Sequence, residues 1–160
     1  MAARARSLAG VLGEEADLIE VAAWLHDIGY AMSVVSTGFH SLDGARYLRG
    51  LEGVPEVVCQ LVAHHTGAAI EAEERGMPAV AAEFASPPAA LLDALTYCDL
   101  STAVDGVPTD VDERIAEILA RYPTDHVVHR SIRRSAPLLR CAARNVQVWM
   151  ARGQSVEVGR

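Results

Sequence analysis

The chain has 160 residues, of which 51% are hydrophobic and 22% are charged, and its formal net charge is −7. This length and composition are typical of one globular domain, so we expect residues 1–160 to form a single domain. The acidic charge argues against a broad nucleic-acid-binding surface, which needs a basic footprint, but it allows a small anionic substrate beside a bound cation.

Helical periodicity interrupted by Gly, Pro and Asp predicts an all-α fold, and no segment shows sustained strand alternation. We expect a single compact multi-helix bundle, in which C-terminal helices over 110–151 pack on the region 1–105. In chain order, the predicted helices cover residues 2–12, 15–28, 38–50, 55–67, 89–104, 110–121 and 125–151.

Three parts of this prediction carry an alternative or a specific role. Gly29 is expected to let the second helix end. Residues 68–86 have a weaker pattern, which predicts a short helix and then a loop that could form a lid. The last segment is either one long helix or two helices that meet near Ser135 and Pro137.

The three cysteines, Cys59, Cys98 and Cys141, stand far apart and form no Cys-x-x-Cys pair. This spacing favours neither a disulfide framework nor a cysteine zinc site, and it is typical of a reducing compartment. No apolar run approaches the roughly 18 residues of a membrane-spanning helix, and the N-terminus lacks the apolar stretch of a signal peptide. We therefore expect a cytoplasmic protein without a membrane partner.

Several ionisable side chains fall on apolar helix faces when residues are placed at about 100° intervals. Asp99 lies on the face that carries Leu92 and Leu95. Because a lone buried carboxylate is costly, it should be paired, protonated or bound to a metal. The alternative is that Asp99 caps a local group at the end of its helix.

The histidines can be assigned to helix faces by the same procedure. His65 lies on the apolar face of its helix with Leu61, whereas the neighbouring His64 points about 100° away. His40 lies on the helix face that carries Gly44. Taken singly, each of these histidines is more often a hydrogen-bonded core residue than a metal ligand.

His26 and Asp27 are adjacent at the end of their helix, where a long imidazole and a short carboxylate can converge on one ion. The inward polar groups come from four different helices, and their coincidence favours one shared site formed by His26, Asp27, His40, His65 and Asp99. Imidazole nitrogens and carboxylates suit Fe, Mn, Zn, Co or Ni. We therefore predict a divalent transition metal cofactor, as one ion or as two ions bridged by a carboxylate.

Residues 22–30, Ala-Ala-Trp-Leu-His-Asp-Ile-Gly-Tyr, resemble the signature of the HD-domain metal-dependent phosphohydrolases. Further similar motifs follow in the family's order: His-Ser-Leu-Asp-Gly-Ala at 40–45, Val-Ala-His-His-Thr-Gly at 62–67 and Leu-Thr-Tyr-Cys-Asp at 95–99. The resemblance covers roughly residues 1–105. It implies a helical metal site that hydrolyses phosphoester or phosphoanhydride bonds, with a small phosphorylated substrate such as a nucleotide.

The resemblance also implies the roles of individual residues. His26, Asp27 and Asp99 would bind the first metal. In two-metal members the aspartate of the doublet bridges both ions and intervening histidines bind the second, which here means His40 with His65, His64 or both. Asp27 and His65 are the expected catalytic residues.

One position departs from the family pattern. The motif of the family begins with a further His on a helix before the doublet, and this sequence has no His before His26. Either the chain is truncated or its start was misassigned, or the site is degenerate and binds metal weakly. The second case implies a catalytically impaired HD-fold module that binds a nucleotide or scaffolds a partner.

Two further patterns bear on the substrate. The cyclic-dinucleotide branch of the family carries Gly-Tyr-Pro after its paired histidines, whereas Thr-Gly-Ala follows at 66–68, which argues against that substrate. Five arginines share one face of the last predicted helix: Arg130, Arg133, Arg134, Arg140 and Arg144. They could contact phosphate or an acidic partner, but a solvated helix face is the interpretation that we favour.

Overall fold

A computed structural model describes residues 1–153. This part of the chain folds into nine α-helices joined by short 3₁₀ turns and loops, and it contains no β-strand. The helices are α1 (Ala2–Arg6), α2 (Ala9–Leu12), α3 (Ala16–Leu25), α4 (His40–Arg49), α5 (Glu56–His64), α6 (Ala68–Glu74), α7 (Ala89–Leu100), α8 (Val111–Arg121) and α9 (Val127–Arg152). The predicted all-α fold is confirmed.

The clearest differences from the predicted helices occur where the chain turns toward the interior. The segment predicted as a helix over 55–67 leaves the α-helical path at His64, because Thr66 and Gly67 both adopt positive φ angles. α9 is continuous through Pro137, so the two-helix alternative is wrong. Residues 68–86 form α6 and a 3₁₀ turn, Val80–Ala82, and contribute Ala72, Val80 and Phe84 to the core rather than a free lid.

Gly29 has a different role from the one predicted. The helix that precedes it, α3, already ends at Leu25, and the φ of Gly29 is not positive. A Cβ added at Gly29 would lie only 1.9 Å from the backbone oxygen of His40. Glycine is therefore required because the turn Ile28–Tyr30 packs directly against the first turn of α4.

Two groups of buried apolar side chains hold the helices together. One joins α1, α3, α5, α7, α8 and α9, and the other joins α4, α5, α6 and the segment around Phe84. Leu25 at the end of α3 packs against both groups. The chain that follows Leu25 therefore begins at the junction of the two cores.

The C-terminal helices share the larger core with the rest of the chain. α9 packs on α7, α6 and α8, and its Leu139 and Val146 are buried in the same cluster as Leu91 and Leu95 of α7. On the outer face of α9, Arg130 and Arg134 pair with Glu74, Arg134 also pairs with Glu73, and Arg140 pairs with Asp112. Within residues 1–153, no helix combines the length and apolar character needed to cross a bilayer.

Candidate metal centre

Four elements direct polar side chains to one cavity of about 470 Å³. His26 and Asp27 directly follow α3, His40 begins α4, His65 follows α5, and Asp99 lies in the last turn of α7. These are the five residues that the sequence analysis assigned to one site. Their meeting place is the junction of the two apolar cores, so each side chain extends from a rigid helix end.

Asp27 directs its two carboxylate oxygens toward different partners. Oδ1 lies 3.6 Å from Nε2 of His40 and 3.9 Å from Nε2 of His65, while Oδ2 lies 3.3 Å from Nε2 of His26. The ligand atoms of Asp27, His40 and His65 all lie within 4.8 Å of one another, which is close enough for one ion to contact all three.

A second group forms on the other side of Asp27. Nε2 of His26 lies 3.9 Å from Oδ1 of Asp99, as well as facing Oδ2 of Asp27. Asp27 therefore stands between a group with two histidines and a group with one histidine and a second carboxylate. A bridging carboxylate in a two-metal site occupies a position of this kind.

Hydrogen bonds to the main chain fix which ring nitrogens are available. Nδ1 of His26 lies 3.0 Å from the carbonyl oxygen of Ala23, and Nδ1 of His65 lies 2.6 Å from that of Val62. Since a carbonyl only accepts hydrogen bonds, both Nδ1 atoms carry the proton. In the neutral rings, the Nε2 lone pair of His26 then faces carboxylate oxygens, and that of His65 faces Asp27 and, at 3.1 Å, Nε2 of His40. A cation or a proton between these atoms would balance the arrangement.

The electrostatics of the cluster agree with metal ligation. Burial, together with the nearby His65, lowers the pKa of His40 to about 3, and burial and the nearby His26 lower the pKa of His65. Burial opposes ionisation of Asp27, but the hydrogen bond to His26 and the surrounding imidazoles outweigh it and lower its pKa to about 2. At neutral pH His40 and His65 are thus neutral imidazoles and Asp27 is an ionised carboxylate, the forms that bind metals.

His26 behaves differently from the other two histidines. Burial opposes protonation of its ring, but the hydrogen bond to Asp27 and the charge of Asp99 outweigh burial and raise its pKa. A proton on Nε2 would therefore balance the two carboxylates, and a cation at the same position would do so as well. The donor set of imidazoles and carboxylates fits a divalent transition metal.

Thr66 is a site residue that the sequence analysis did not identify. Its hydroxyl donates a hydrogen bond to Oδ2 of Asp99, and its backbone is held at φ 47°, ψ 43°. Among residues 1–153 it is the only non-glycine residue with a positive φ. A β-branched residue rarely adopts this conformation, so it indicates a local constraint at the site. Its position directly after His65 was the available sequence signal.

Tyr30 and Asp43 were also missed. The Tyr30 ring stacks on His40 with 4.1 Å between ring centroids, and Tyr30 lines the cavity. The buried Asp43 carboxylate accepts hydrogen bonds from the backbone N–H groups of Ser36, Thr37 and Gly38, which hold the loop that leads into His40. Both residues belong to motifs quoted above, but their contacts depend on the path of the loop between α3 and α4.

His64 points away from the cluster. Its Nε2 lies 2.8 Å from the carbonyl oxygen of Phe84, in a buried contact that ties the end of α5 to the segment after Val80. The geometry therefore separates the paired histidines, with His65 at the cavity and His64 in the core. The predicted choice of His65 over His64 agrees with this separation, but its cause is the end of α5 at His64, after which the backbone of His65 is extended (φ −59°, ψ 149°).

Comparison with curated proteins and with solved structures gave no match to this chain. A family model for the HD domain matches residues 1–103, which extend from α1 through the whole of α7 and contain all five residues of the cluster. Because this match covers more than half of the sequence, the chain belongs to the HD domain family.

Proposed function

We propose that this protein is a metal-dependent phosphohydrolase that acts on a nucleotide or another small phosphoester. The observation that carries the proposal is the position of Asp27, whose two oxygens face separate histidine groups in a cavity. HD domains bind divalent metals, and this arrangement supplies suitable ligands for one or two ions of Fe, Mn, Zn, Co or Ni.

In this proposal, His26, Asp27 and Asp99 hold one ion, and His40 and His65 hold a second one that Asp27 shares. A divalent cation held there would supply a Lewis acid, which lowers the pKa of water and balances the charge that develops on phosphoryl oxygens.

The residues of the chain have separate tasks around that centre. The side chain of Asp27 is 56% exposed, so its ionised carboxylate can also accept a hydrogen bond from a water molecule in the cavity. His65, whose side chain is 4% exposed, is held through Nδ1 and keeps its Nε2 directed at Asp27. Burial and the charge of Asp27 raise the pKa of Tyr30, so its phenol stays protonated and can donate a hydrogen bond to a phosphate oxygen.

We further propose that residues 1–160 act as one domain in the cytoplasm. The helices after residue 103 bury apolar side chains in the core that the HD region forms, which supports a single domain. All three cysteines are free thiols: Cys59 and Cys98 are buried, and Cys141 is exposed. Free thiols are typical of a reducing compartment.

The proposal is tested by metal analysis and phosphate release on the same protein samples. The purified chain is loaded with Mn²⁺, desalted, and assayed with nucleoside mono-, di- and triphosphates and with p-nitrophenyl phosphate. We expect bound metal and metal-stimulated release of phosphate. Asp27→Asn should lower both metal content and turnover, the latter by more than about 100-fold, because even residues that only orient ligands often change activity 10- to 100-fold.

The two adjacent histidines provide a matched control. His65→Asn should lose metal, whereas His64→Asn should keep its metal and lose thermal stability, because His64 contacts only the core in this region. Equal metal loss in both variants, or turnover in wild type that Asp27→Asn leaves unchanged, would contradict the assignment.

A second candidate function is a nucleotide-binding or scaffolding module with little turnover. One observation favours it: among residues 1–153, the group around Asp99 contains a single imidazole, that of His26, and Met1 lines the same cavity. This candidate predicts that a nucleotide binds without hydrolysis, with an affinity that Asp27→Ala leaves unchanged. Calorimetry measures whether a nucleotide binds, and analysis of the reaction products measures whether it is hydrolysed. Together they distinguish this candidate from the first proposal.

A further inference from the structure

The cavity extends beyond the metal centre to a wall formed by α8 and α9. Arg114, Arg121 and Tyr122 line it at the α8 side, and all three follow residue 103, where the match to the HD domain ends. The metal-binding end and the arginine-bearing end of the cavity therefore come from different parts of the chain. The metal-site motifs therefore do not specify the chemistry of the second end.

Arg114 is unusually enclosed for a charged residue. Its side chain is only 14% exposed, and it lies between the main cavity and an adjoining cavity of about 400 Å³. Nη1 donates to Oε2 of Glu117. Nε is closed to solvent and has no hydrogen-bond partner within the described residues, so a ligand in the cavity would meet the Nη end of the guanidinium first. Buried donors are nearly always paired, so this unpaired donor needs an explanation.

Glu117 by itself does not balance the charge of two arginines. Although Asp105 and Glu113 also line the adjoining cavity, neither forms an ion pair with Arg114 or Arg121 within the described residues. Glu117 pairs with Arg114 through Oε2 and with Arg121 through Oε1, so one carboxylate is shared by two guanidinium groups. A guanidinium binds carboxylate or phosphate through two parallel N–H donors, and a single bond from Nη1 leaves part of this capacity unused. The pair of arginines thus has room for one further anion.

Apolar side chains line the cavity beside the polar ones, which include Glu71 and Thr102. Ile118, Val128 and Ile132 line the cavity together with the ring of Tyr122. A cavity of about 470 Å³ lies within the range typical of small-molecule sites. A ligand that reaches both ends must therefore carry a polar group at each end and a body that tolerates an apolar wall.

We propose that Arg114 binds a second anionic group of the substrate, a phosphate or a carboxylate, while the scissile phosphoryl group lies at the metal centre. The substrate class is then a small phosphoester with two anionic groups. Arg121 assists at the more exposed side, and Glu117 holds both guanidinium groups in place. This inference rests on the proposed phosphohydrolase function, which it extends to substrate selection.

A series of flexible probes tests the proposal without assuming the distance between the two ends. The Mn²⁺-loaded protein is assayed with the bisphosphates of 1,2-ethanediol through 1,6-hexanediol, with the matching monophosphates, and with ω-carboxyalkyl phosphates of the same lengths. We expect kcat/KM to favour two-anion probes at one chain length by about 10-fold or more, since bonds to a charged partner are strong. The bisphosphate and carboxylate arms then distinguish the two kinds of anion.

Variants of α8 connect this preference to Arg114. Arg114→Gln should lower kcat/KM for the preferred two-anion probe about 10- to 100-fold and change the monophosphate less than about threefold. Glu117→Gln keeps both guanidinium groups but removes the carboxylate that holds them, so it should reduce the preference less than Arg114→Gln does. Arg140→Gln, which removes a surface arginine paired with Asp112, is the matched control and should leave the preference unchanged.

The outcomes separate this inference from the proposed function. Turnover without preference for two anions at any length, or an equal loss for both probe types in Arg114→Gln, would overturn the arginine subsite and leave the hydrolase intact. If no probe is hydrolysed, calorimetry with the same probes decides. Tighter binding of a two-anion probe that disappears in Arg114→Gln supports the subsite even though hydrolysis failed, and equal affinities overturn it.

Discussion

At the candidate metal centre, hydrogen bonds to the main chain position the side chains of the candidate ligands, in addition to the contacts that those side chains make with one another. Thr66 also positions a candidate ligand, because its hydroxyl contacts Asp99 while its backbone adopts the left-handed region. A strained β-branched residue costs about 1–3 kcal/mol. Thr66 lies in the turn that places His65 at the cavity. Its hydrogen bond therefore links the position of this turn to that of the Asp99 carboxylate.

Substitutions at Thr66 separate the hydroxyl from the backbone strain. Thr66→Val removes the hydrogen bond to Asp99 and should weaken metal affinity about 10- to 100-fold, as is usual when a residue that orients a ligand is lost. Thr66→Gly should weaken affinity similarly but raise the free energy of unfolding by relieving strain. Thr66→Ser should retain affinity. Metal titration and urea unfolding measure both effects, and unchanged affinity in Thr66→Val would rule out the orienting role.

Asp43 acts through the loop before His40. Its carboxylate accepts backbone N–H bonds from Ser36, Thr37 and Gly38 and a hydroxyl bond from Thr37. Burial opposes its ionisation, but these hydrogen bonds outweigh burial and lower its pKa. A lowered pKa stabilises the fold above the unfolded-state value of about 3.9, and that contribution is lost as the pH falls through the folded-state value.

The Asp43→Asn variant should therefore show a pH-dependent defect. At pH 7 we expect a loss of about 2–3 kcal/mol in the free energy of unfolding, because an ionised acceptor is replaced by a neutral amide. Below about pH 4 the difference from wild type should narrow, since the carboxylate of the unfolded chain becomes protonated there and that of the folded protein only at lower pH. Urea unfolding of the variant and of wild type, at pH 7 and below about pH 4, measures this difference in stability. A difference that is the same at both pH values would mean that the charge of Asp43 is unimportant.

At the scale of secondary-structure elements, the contact between the turn Ile28–Tyr30 and α4 positions the histidine cluster. Gly29 touches the backbone of His40 and Gly44, so the two elements approach more closely than side chains allow. Asp27 lies just before this contact, and His40 lies within it. Their mutual position therefore depends on the absence of a single Cβ atom.

Gly29→Ala should separate these elements. The added Cβ would lie 1.9 Å from the His40 oxygen and 2.8 Å from the Gly44 nitrogen, so the backbone has to move. We expect a loss of about 3 kcal/mol in stability, and weaker metal binding because His40 moves. Gly10→Ala in α2 is the control, because a Cβ at that position meets nothing within 4 Å. Its effect on stability should be neutral or slightly stabilising. Similar thermal melts for the two variants would disprove the close-contact role of Gly29.

For the whole molecule, the HD region and the C-terminal helices depend on one another. The matched segment 1–103 leaves the apolar face of α7 without the side chains of α9 that cover it, among them Ile132, Leu139 and Val146. Each buried aliphatic side chain contributes about 1.5–3 kcal/mol, and a domain is stable by only about 5–15 kcal/mol. Loss of the helices after residue 103 should therefore exceed what the fold can tolerate.

A fragment of residues 1–103 should consequently fail to unfold cooperatively, whereas the full chain should melt in one cooperative transition. Circular dichroism during heating and the dispersion of amide NMR signals measure the difference. A cooperative melt of the fragment would show that the HD region is an independent domain and that α8 and α9 are an appended unit.

The candidate site was predictable from the sequence because its residues lie in or directly beside the ends of helices with recognisable apolar faces. Asp99 and His65 were found by their position on apolar faces, and His26-Asp27 by its place after an apolar run. Thr66, Tyr30 and Asp43 were not identified. Each of them acts through a partner that lies far along the chain or in a loop, and helix periodicity carries no information about such partners.

The sequence by itself determined the all-α class, the approximate helices and the identity of the five clustered residues, since periodicity and residue chemistry are local properties. Only the tertiary structure decided that Asp27 divides its oxygens between two groups, that His64 turns to Phe84, and that Gly29 serves close packing rather than helix termination. It also brought α8 to the far end of the cavity. These features depend on distances between elements, which arise only when the two apolar cores pack together.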